Sequence, residues 1–257
     1  MSVGVLMLHG FSGGPYEILP LAKYIKENTG WIVETPTFTG HGEFDELHLK
    51  GYKAEHWLMD AEISFRHLTK RVKEVIVIGF SMGGVIALYL AKRYKVKKLV
   101  LLSAAAKYIA PAQLLKDLRL FAEDAIKGQL KDNELFKRYE NKLKNVPVSS
   151  TVQFMKIVSH VEPYICTINV PTFIVQGQAD GIVPYATAQY LYDELPTKDK
   201  YLFYSEKGKH HICYSDDCLI WFPKILDFLE GKEISFEQKN NTFMTTRALS
   251  LQCGYEP

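Results

Sequence analysis

The chain predicts an α/β fold with about six mainly parallel strands, helices on both faces and a small inserted helical cap. Three observations predict it. Short apolar runs alternate along the chain with amphipathic stretches of helical period. Most of the runs are rich in Val, Ile and Leu without a polar alternate, as parallel strands covered on both faces require. The alternation breaks only once, from Lys107 to about Ile168, where no strand pattern occurs.

Strands are expected at Val3–His9, Trp31–Phe38, Val75–Phe80, Leu99–Ala104, Thr172–Gln176 and Tyr201–Tyr204. Helices are expected at Tyr16–Asn28, Ala54–Val72, Gly83–Tyr94, Tyr185–Glu194 and Cys218–Glu230. Strand–helix alternation implies right-handed crossovers and one continuous sheet. In the interruption, Leu114, Leu115, Leu118, Phe121, Ala125 and Ile126 recur near helical spacing, as do Leu135, Phe136, Tyr139 and Leu143. Its first forty residues carry nine basic and six acidic side chains, an ordinary solvated helix surface. The expected division is a core of residues 1–106 and 169–231, a helical cap of residues 107–168 over the C-terminal edge of the sheet, and a C-terminal extension of residues 232–257. That extension has three basic and three acidic residues and sparse apolar positions. It is expected to pack on the domain surface or on a neighbour.

Composition excludes several classes. The chain has 257 residues, 47% of them hydrophobic, and 31 basic against 29 acidic side chains. High apolar content with a net charge of +2 excludes disorder as the dominant state. The same balance gives no broad basic field, so no nucleic-acid partner is expected. No apolar run reaches the length of a membrane span, so no stable membrane insertion is expected. The N-terminus has neither a basic n-region nor a small-residue cleavage site and reads as a buried strand. Cys166, Cys213, Cys218 and Cys253 form no CxxC pair and read as free thiols in a reducing, cytoplasmic setting.

The chemistry is carried by Gly79-Phe80-Ser81-Met82-Gly83-Gly84, between the strand Glu74–Ile78 and the helical run Val85–Ala91. This is G-x-S-x-G in its strand–turn–helix context. The sharp turn strains the serine backbone, and glycines at 79 and 83 remove side chains that would clash. The turn also sets the Ser81 hydroxyl at a helix N-terminus, whose N–H groups favour a nearby oxyanion. Directly after the first strand, Leu8-His9-Gly10-Phe11-Ser12-Gly13-Gly14-Pro15 forms a glycine-rich loop. Phe11 and Met82 are the expected backbone donors to an oxyanion. His48, His56, His67 and His160 have no metal-like spacing, and His41 fits a structural turn or a pocket mouth. Neither a phosphate loop nor H-E-x-x-H occurs, so no metal and no cofactor are expected.

With these motifs the sequence resembles the α/β-hydrolase superfamily, and within it the compact bacterial carboxylesterase and monoacylglycerol lipase group. The shared features are the His-Gly-Phe loop, Gly40-His41-Gly42, Gly-Phe-Ser-Met-Gly at the elbow, the segment Gln176–Pro184 and a histidine near residue 210. The resemblance covers about residues 3–231 and implies the α/β-hydrolase fold and a Ser…Asp…His order. Asp180-Gly181-Ile182-Val183-Pro184 matches the family's D-x-x-V-P segment, which makes Asp180 the acid. Lys207-Gly208-Lys209-His210-His211-Ile212 offers two adjacent histidines where the family has Ser-Gly-His followed by an apolar pair. Aligning His210 on that histidine makes it the base, with Lys209 where glycine is usual; His211 is the alternative.

The expected activity is serine-dependent hydrolysis of short- to medium-chain acyl esters or monoacylglycerols through an acyl-enzyme. A thioesterase or C–C bond hydrolase would use the same triad, and a non-catalytic binding relative would leave it idle. Gly10, Ile182 and Val183 are the expected substrate contacts, beside an apolar pocket drawn from Phe11, Phe38 and the cap. The expected partner is a small-molecule ester, met by a monomer or homodimer. Near-neutral charge suits an uncharged substrate that needs no electrostatic steering.

Overall fold

A computed structural model describes residues 2–42, 47–107 and 146–234, together with the backbone of 243–245. Among the described residues, seven strands form one sheet in the order β2-β1-β3-β4-β5-β6-β7. They are β1 (Val3–Leu8), β2 (Ile32–Glu34), β3 (Glu74–Phe80), β4 (Leu99–Leu102), β5 (Thr172–Gly177), β6 (Lys200–Ser205) and β7 (Phe243–Thr245). The first six are parallel. The helices are α1 (Leu19–Asn28), α2 (Ala54–Thr69), α3 (Met82–Arg93), α4 (Val148–Val161), α5 (Ala186–Glu194) and α6 (Cys218–Glu230).

Both sheet faces are apolar because both are covered. Val3, Val5 and Met7 of β1 pack with Leu21 and Ile25 of α1 and Trp221, Phe222 and Ile225 of α6. The alternate residues Leu6 and Leu8 pack with Trp57 and Phe65 of α2, Val85 to Leu88 of α3 and Phe154 of α4. Burying side chains of this size stabilises the fold by roughly 1.5–3 kcal/mol each before the entropy of ordering is subtracted. Register puts the strand exits side by side, with Leu8 opposite Gly79, Phe80 opposite Leu102, Leu102 opposite Val175 and Gly177 opposite Ser205. Chain order reverses between β1 and β3, which is where open α/β sheets form their ligand crevice.

Three elements differ from expectation. The second strand is only Ile32–Glu34, because Pro36 cannot donate to a sheet ladder and the chain leaves the sheet before it. The first helix opens with a 3₁₀ turn, Pro15–Ile18, and becomes α-helical at Leu19, where Pro20 falls in the first turn and removes only a donor that has no partner there. The seventh strand lies in the C-terminal extension, whose few apolar residues give no strand pattern. Of the expected cap, residues 108–145 lie outside the described residues. The rest forms α4 and the 3₁₀ turn Glu162–Thr167. α4 is fastened to the α2 side by Ser150 Oγ donating to Leu49 O at 3.0 Å and by Ala54 N–H donating to Gln153 Oε1 at 3.3 Å. Among the described residues no helix is long and apolar enough to cross a membrane.

β7 pairs antiparallel with β6, Tyr201 facing Thr245 and Phe203 facing Phe243. It thereby covers a strand edge that would otherwise present open backbone donors and acceptors. Truncation after Gly231 should lower stability by only about 1–2 kcal/mol, the net worth of a few hydrogen bonds. It should also raise concentration-dependent self-association, read by sedimentation velocity. A truncated chain with the oligomeric state of the full chain would remove the edge-covering role.

Candidate active site

The site is built at the strand exits. β3 ends at Phe80, and Ser81 follows with φ 53° and ψ −117°, in the positive-φ region that costs a non-glycine residue about 1–3 kcal/mol. The surrounding backbone holds it there. Ser81 N–H donates to Leu102 O at 2.9 Å, while Ser81 O accepts Gly84 N–H at 3.0 Å and Ala105 N–H at 3.2 Å. α3 begins at the next residue, so its first N–H groups have no intrahelical acceptor. At Gly83 the helix start meets the β1 exit, and a Cβ there would overlap Leu8 O and His9 O. The absence of that carbon lets the N-terminus of α3 lie against the loop that carries Phe11.

Ser81, Asp180 and His210 come together. His210 Nε2 lies 3.1 Å from Ser81 Oγ, and His210 Nδ1 lies 3.0 Å from Asp180 Oδ2. The Asp180 side chain is fully shielded and that of His210 is 6% exposed. Burial alone would raise the Asp180 pKa. The His210 ring beside it, together with the N–H groups of Val183 and Ile182, outweighs burial and lowers it below the usual carboxylate value. Asp180 is therefore an acceptor at neutral pH, so Nδ1 of His210 presents a proton to it, and in the neutral ring Nε2 is the nitrogen left to accept from the Ser81 hydroxyl.

The sequence also offered His211 as the base. Its ring points away from Ser81, with Nε2 3.3 Å from Glu17 Oε1. Ile182 and Val183, read as substrate contacts, are buried and donate their N–H groups to Asp180 Oδ1 at 2.8 and 2.9 Å. Gly10 N–H donates to Glu17 Oε2 at 2.8 Å. Phe11 is 8% exposed and Met82 fully buried. His41 is buried in an aromatic cluster, edge-on to Trp57 with ring centroids 5.3 Å apart.

Several further residues support the site through contacts that only the fold creates. Gln176 Nε2 donates to Asp180 Oδ2 at 3.0 Å from the end of β5. Phe154 of α4 stacks on Phe11 at 5.4 Å. His9 is the most informative. Its Nδ1 lies 2.9 Å from Gly10 O, and its Nε2 accepts Phe38 N–H at 3.1 Å. A carbonyl only accepts and an amide only donates, so the His9 ring is neutral with its proton on Nδ1. Holding Gly10 O fixes the planar Gly10–Phe11 peptide and so aims the Phe11 N–H.

Comparison with known proteins places the chain beside esterases and lipases. The family profile Hydrolase_4, described as serine aminopeptidase, S33, matches residues 3–217. A carboxylesterase of Bacillus subtilis (strain 168) is 25% identical over 227 residues, covering 88% of this chain and 92% of the relative. A thermostable monoacylglycerol lipase of Bacillus sp. (strain H-257) is 27% identical over 232 residues, covering 88% and 90%. Among solved structures, the monoacylglycerol lipase of Paleococcus ferrophilus superposes with a TM-score of 0.68 at 17% identity, over 89% of this chain and 94% of its own. A structure described with LipS and LipT, two metagenome-derived lipolytic enzymes, gives a TM-score of 0.72 at 21% identity, over 89% and 94%.

Proposed function

The chain belongs to the Hydrolase_4 family, described as serine aminopeptidase, S33, and is a carboxylic ester hydrolase with the α/β-hydrolase fold; from that premise we propose that it cleaves short- to medium-chain acyl esters or monoacylglycerols through an acyl-enzyme on Ser81. The observation that carries the proposal is the hydrogen-bonded chain from Ser81 Oγ through His210 to Asp180, at 3.1 and 3.0 Å.

Each step follows from where protons sit. As Ser81 Oγ bonds to the ester carbonyl carbon, its proton passes to His210 Nε2. The carbonyl electron pair moves onto oxygen, which accepts hydrogen bonds from the N–H groups of Phe11 and Met82, each worth on the order of 3 kcal/mol in the transition state. Asp180, ionised and held by Gln176, Ile182 and Val183, stabilises the imidazolium without taking its proton. When the tetrahedral carbon collapses, the C–O bond to the alcohol breaks and Nε2–H protonates the departing oxygen. Water then repeats the sequence, giving its proton to Nε2 as it attacks the acyl-enzyme, and releases the acid and Ser81.

The wall proposed for the acyl or alcohol group is apolar, with Phe11 stacked on Phe154 and backed by Trp57. Such a wall suits hydrocarbon and offers no partner to a charged substituent. A panel of nitrophenyl esters of rising acyl length, run beside acyl-CoA thioesters, tests the substrate class. The expected kcat/KM is highest on short to medium chains and exceeds that on every thioester. Little ester turnover at any length would sink the carboxylesterase reading, and faster thioester turnover would replace it with a thioesterase.

A further inference from the structure

We propose that Glu17 is a positioning residue that sets the loop carrying Phe11 against the loop carrying His210, with His211 as its second anchor; this rests on the roles assigned above to Ser81, His210 and Phe11.

Glu17 lies in the 3₁₀ turn Pro15–Ile18 and is 1% exposed. Burying a carboxylate costs several kcal/mol unless hydrogen bonds compensate. Here each oxygen faces a different loop. Oε2 accepts Gly10 N–H at 2.8 Å, in the loop after β1, and Oε1 meets His211 Nε2 at 3.3 Å, in the loop after β6. A Cβ on Gly13 would overlap the Glu17 carboxylate, so that loop is wrapped around this group. A second tie lies one residue away, where Tyr214 Oη donates to Tyr16 O at 2.6 Å.

The sheet cannot make this link. β1 and β6 are separated by β3, β4 and β5, so no strand ladder fixes the two loops relative to each other. Acyl transfer nevertheless needs the Phe11 N–H and His210 Nε2 each held to within about 0.5 Å of its productive position around one carbonyl. Glu17 spans the gap above the strand exits. On one side it holds the peptide immediately before the Gly10–Phe11 unit that His9 orients. On the other it pins the neighbour of His210, whose ring lies 5.9 Å from that of His211. The proposed mechanism gives neither Glu17 nor His211 a proton to carry, so both act through geometry alone.

The test is steady-state kinetics on a nitrophenyl ester with Glu17→Ala, Glu17→Gln, His211→Ala and the double variant Glu17→Ala/His211→Ala, each checked for folding by circular dichroism. Glu17→Ala should lower kcat about 10- to 100-fold with KM within about threefold, the signature of misplaced transition-state groups. Glu17→Gln keeps an oxygen for Gly10 N–H, and His211 in its other tautomer accepts the amide N–H, so kcat should recover to within about fivefold of the parent. His211→Ala should cost about 3- to 10-fold, because Gly10 is still held, and the double variant should be no slower than Glu17→Ala alone. Glu17→Ala that is folded with kcat within twofold of the parent overturns the proposal. So does a loss confined to KM, or losses that multiply in the double variant. Should Glu17→Ala fail to fold, His211→Ala decides, and parental kcat there overturns the tie. Ser81→Ala run alongside separates the two readings: if it retains turnover, the serine mechanism fails whatever Glu17 does.

Discussion

Ser81→Ala should lower kcat on a nitrophenyl ester by on the order of 10⁴- to 10⁶-fold while leaving the fold intact. The variant removes one hydroxyl whose contact is the 3.1 Å hydrogen bond to His210, and it leaves the elbow backbone bonds to Leu102, Gly84 and Ala105 in place. Stability should therefore change by no more than about 1 kcal/mol. A fluorophosphonate that labels the parent should not label the variant. The same assay separates the two adjacent histidines. His210→Ala removes the acceptor of the Ser81 proton and should cost at least about 10⁴-fold in kcat. His211→Ala leaves that acceptor where it is and should cost no more than the factor expected for loosening Glu17. Near-parental turnover in His210→Ala together with a dead His211→Ala would reverse the assignment of the base.

Gly83→Ala should be the most damaging of the small substitutions. The added methyl would occupy the space of Leu8 O and His9 O, two backbone atoms with no freedom to retreat, because Leu8 is paired to Gly79 in the sheet. α3 and the β1 exit must separate, at a cost of about 3 kcal/mol or more. For a chain of this size that is roughly 6–12 °C in Tm. Activity should fall further than stability does, since the parting surfaces carry Met82 on one side and the His9–Phe11 loop on the other. Gly30→Ala is the control: a Cβ there meets nothing within 4 Å, so it should stay within about 0.5 kcal/mol of the parent. A Gly83→Ala protein with parental Tm and kcat would show that close approach at this point is not required.

Much of the architecture was legible because its causes are local. β1, β3, β4, β5 and β6 lie within one or two residues of their expected bounds, since a buried parallel strand needs an unbroken apolar run. β2 was overestimated because Trp31 to Phe38 is apolar enough for a strand, while Pro36 and the capture of Phe38 N–H by His9 take its second half out of the sheet. β7 was not legible at all. Its pairing comes from the exposed edge of β6, which supplies the partner groups whatever side chains the visiting strand carries.

The site divides in the same way. Ser81 is marked by its own neighbours, because a strained turn between a strand and a helix demands glycine at fixed offsets, and that demand is written within six residues. His210 and His211 are adjacent, and in sequence only the resemblance favours His210 as the base. The packing turns the His210 ring to Asp180 and Ser81 and the His211 ring to Glu17. Glu17 reads in the sequence as an ordinary acidic residue near a helix start, and its burial between two distant loops exists only in three dimensions. Periodicity, turn chemistry and strand–helix alternation therefore determined the sheet, its helices and the place of the serine. Tertiary structure alone decided what holds the loops around that serine and what covers the sheet edge, because each depends on contacts between segments that no local pattern links.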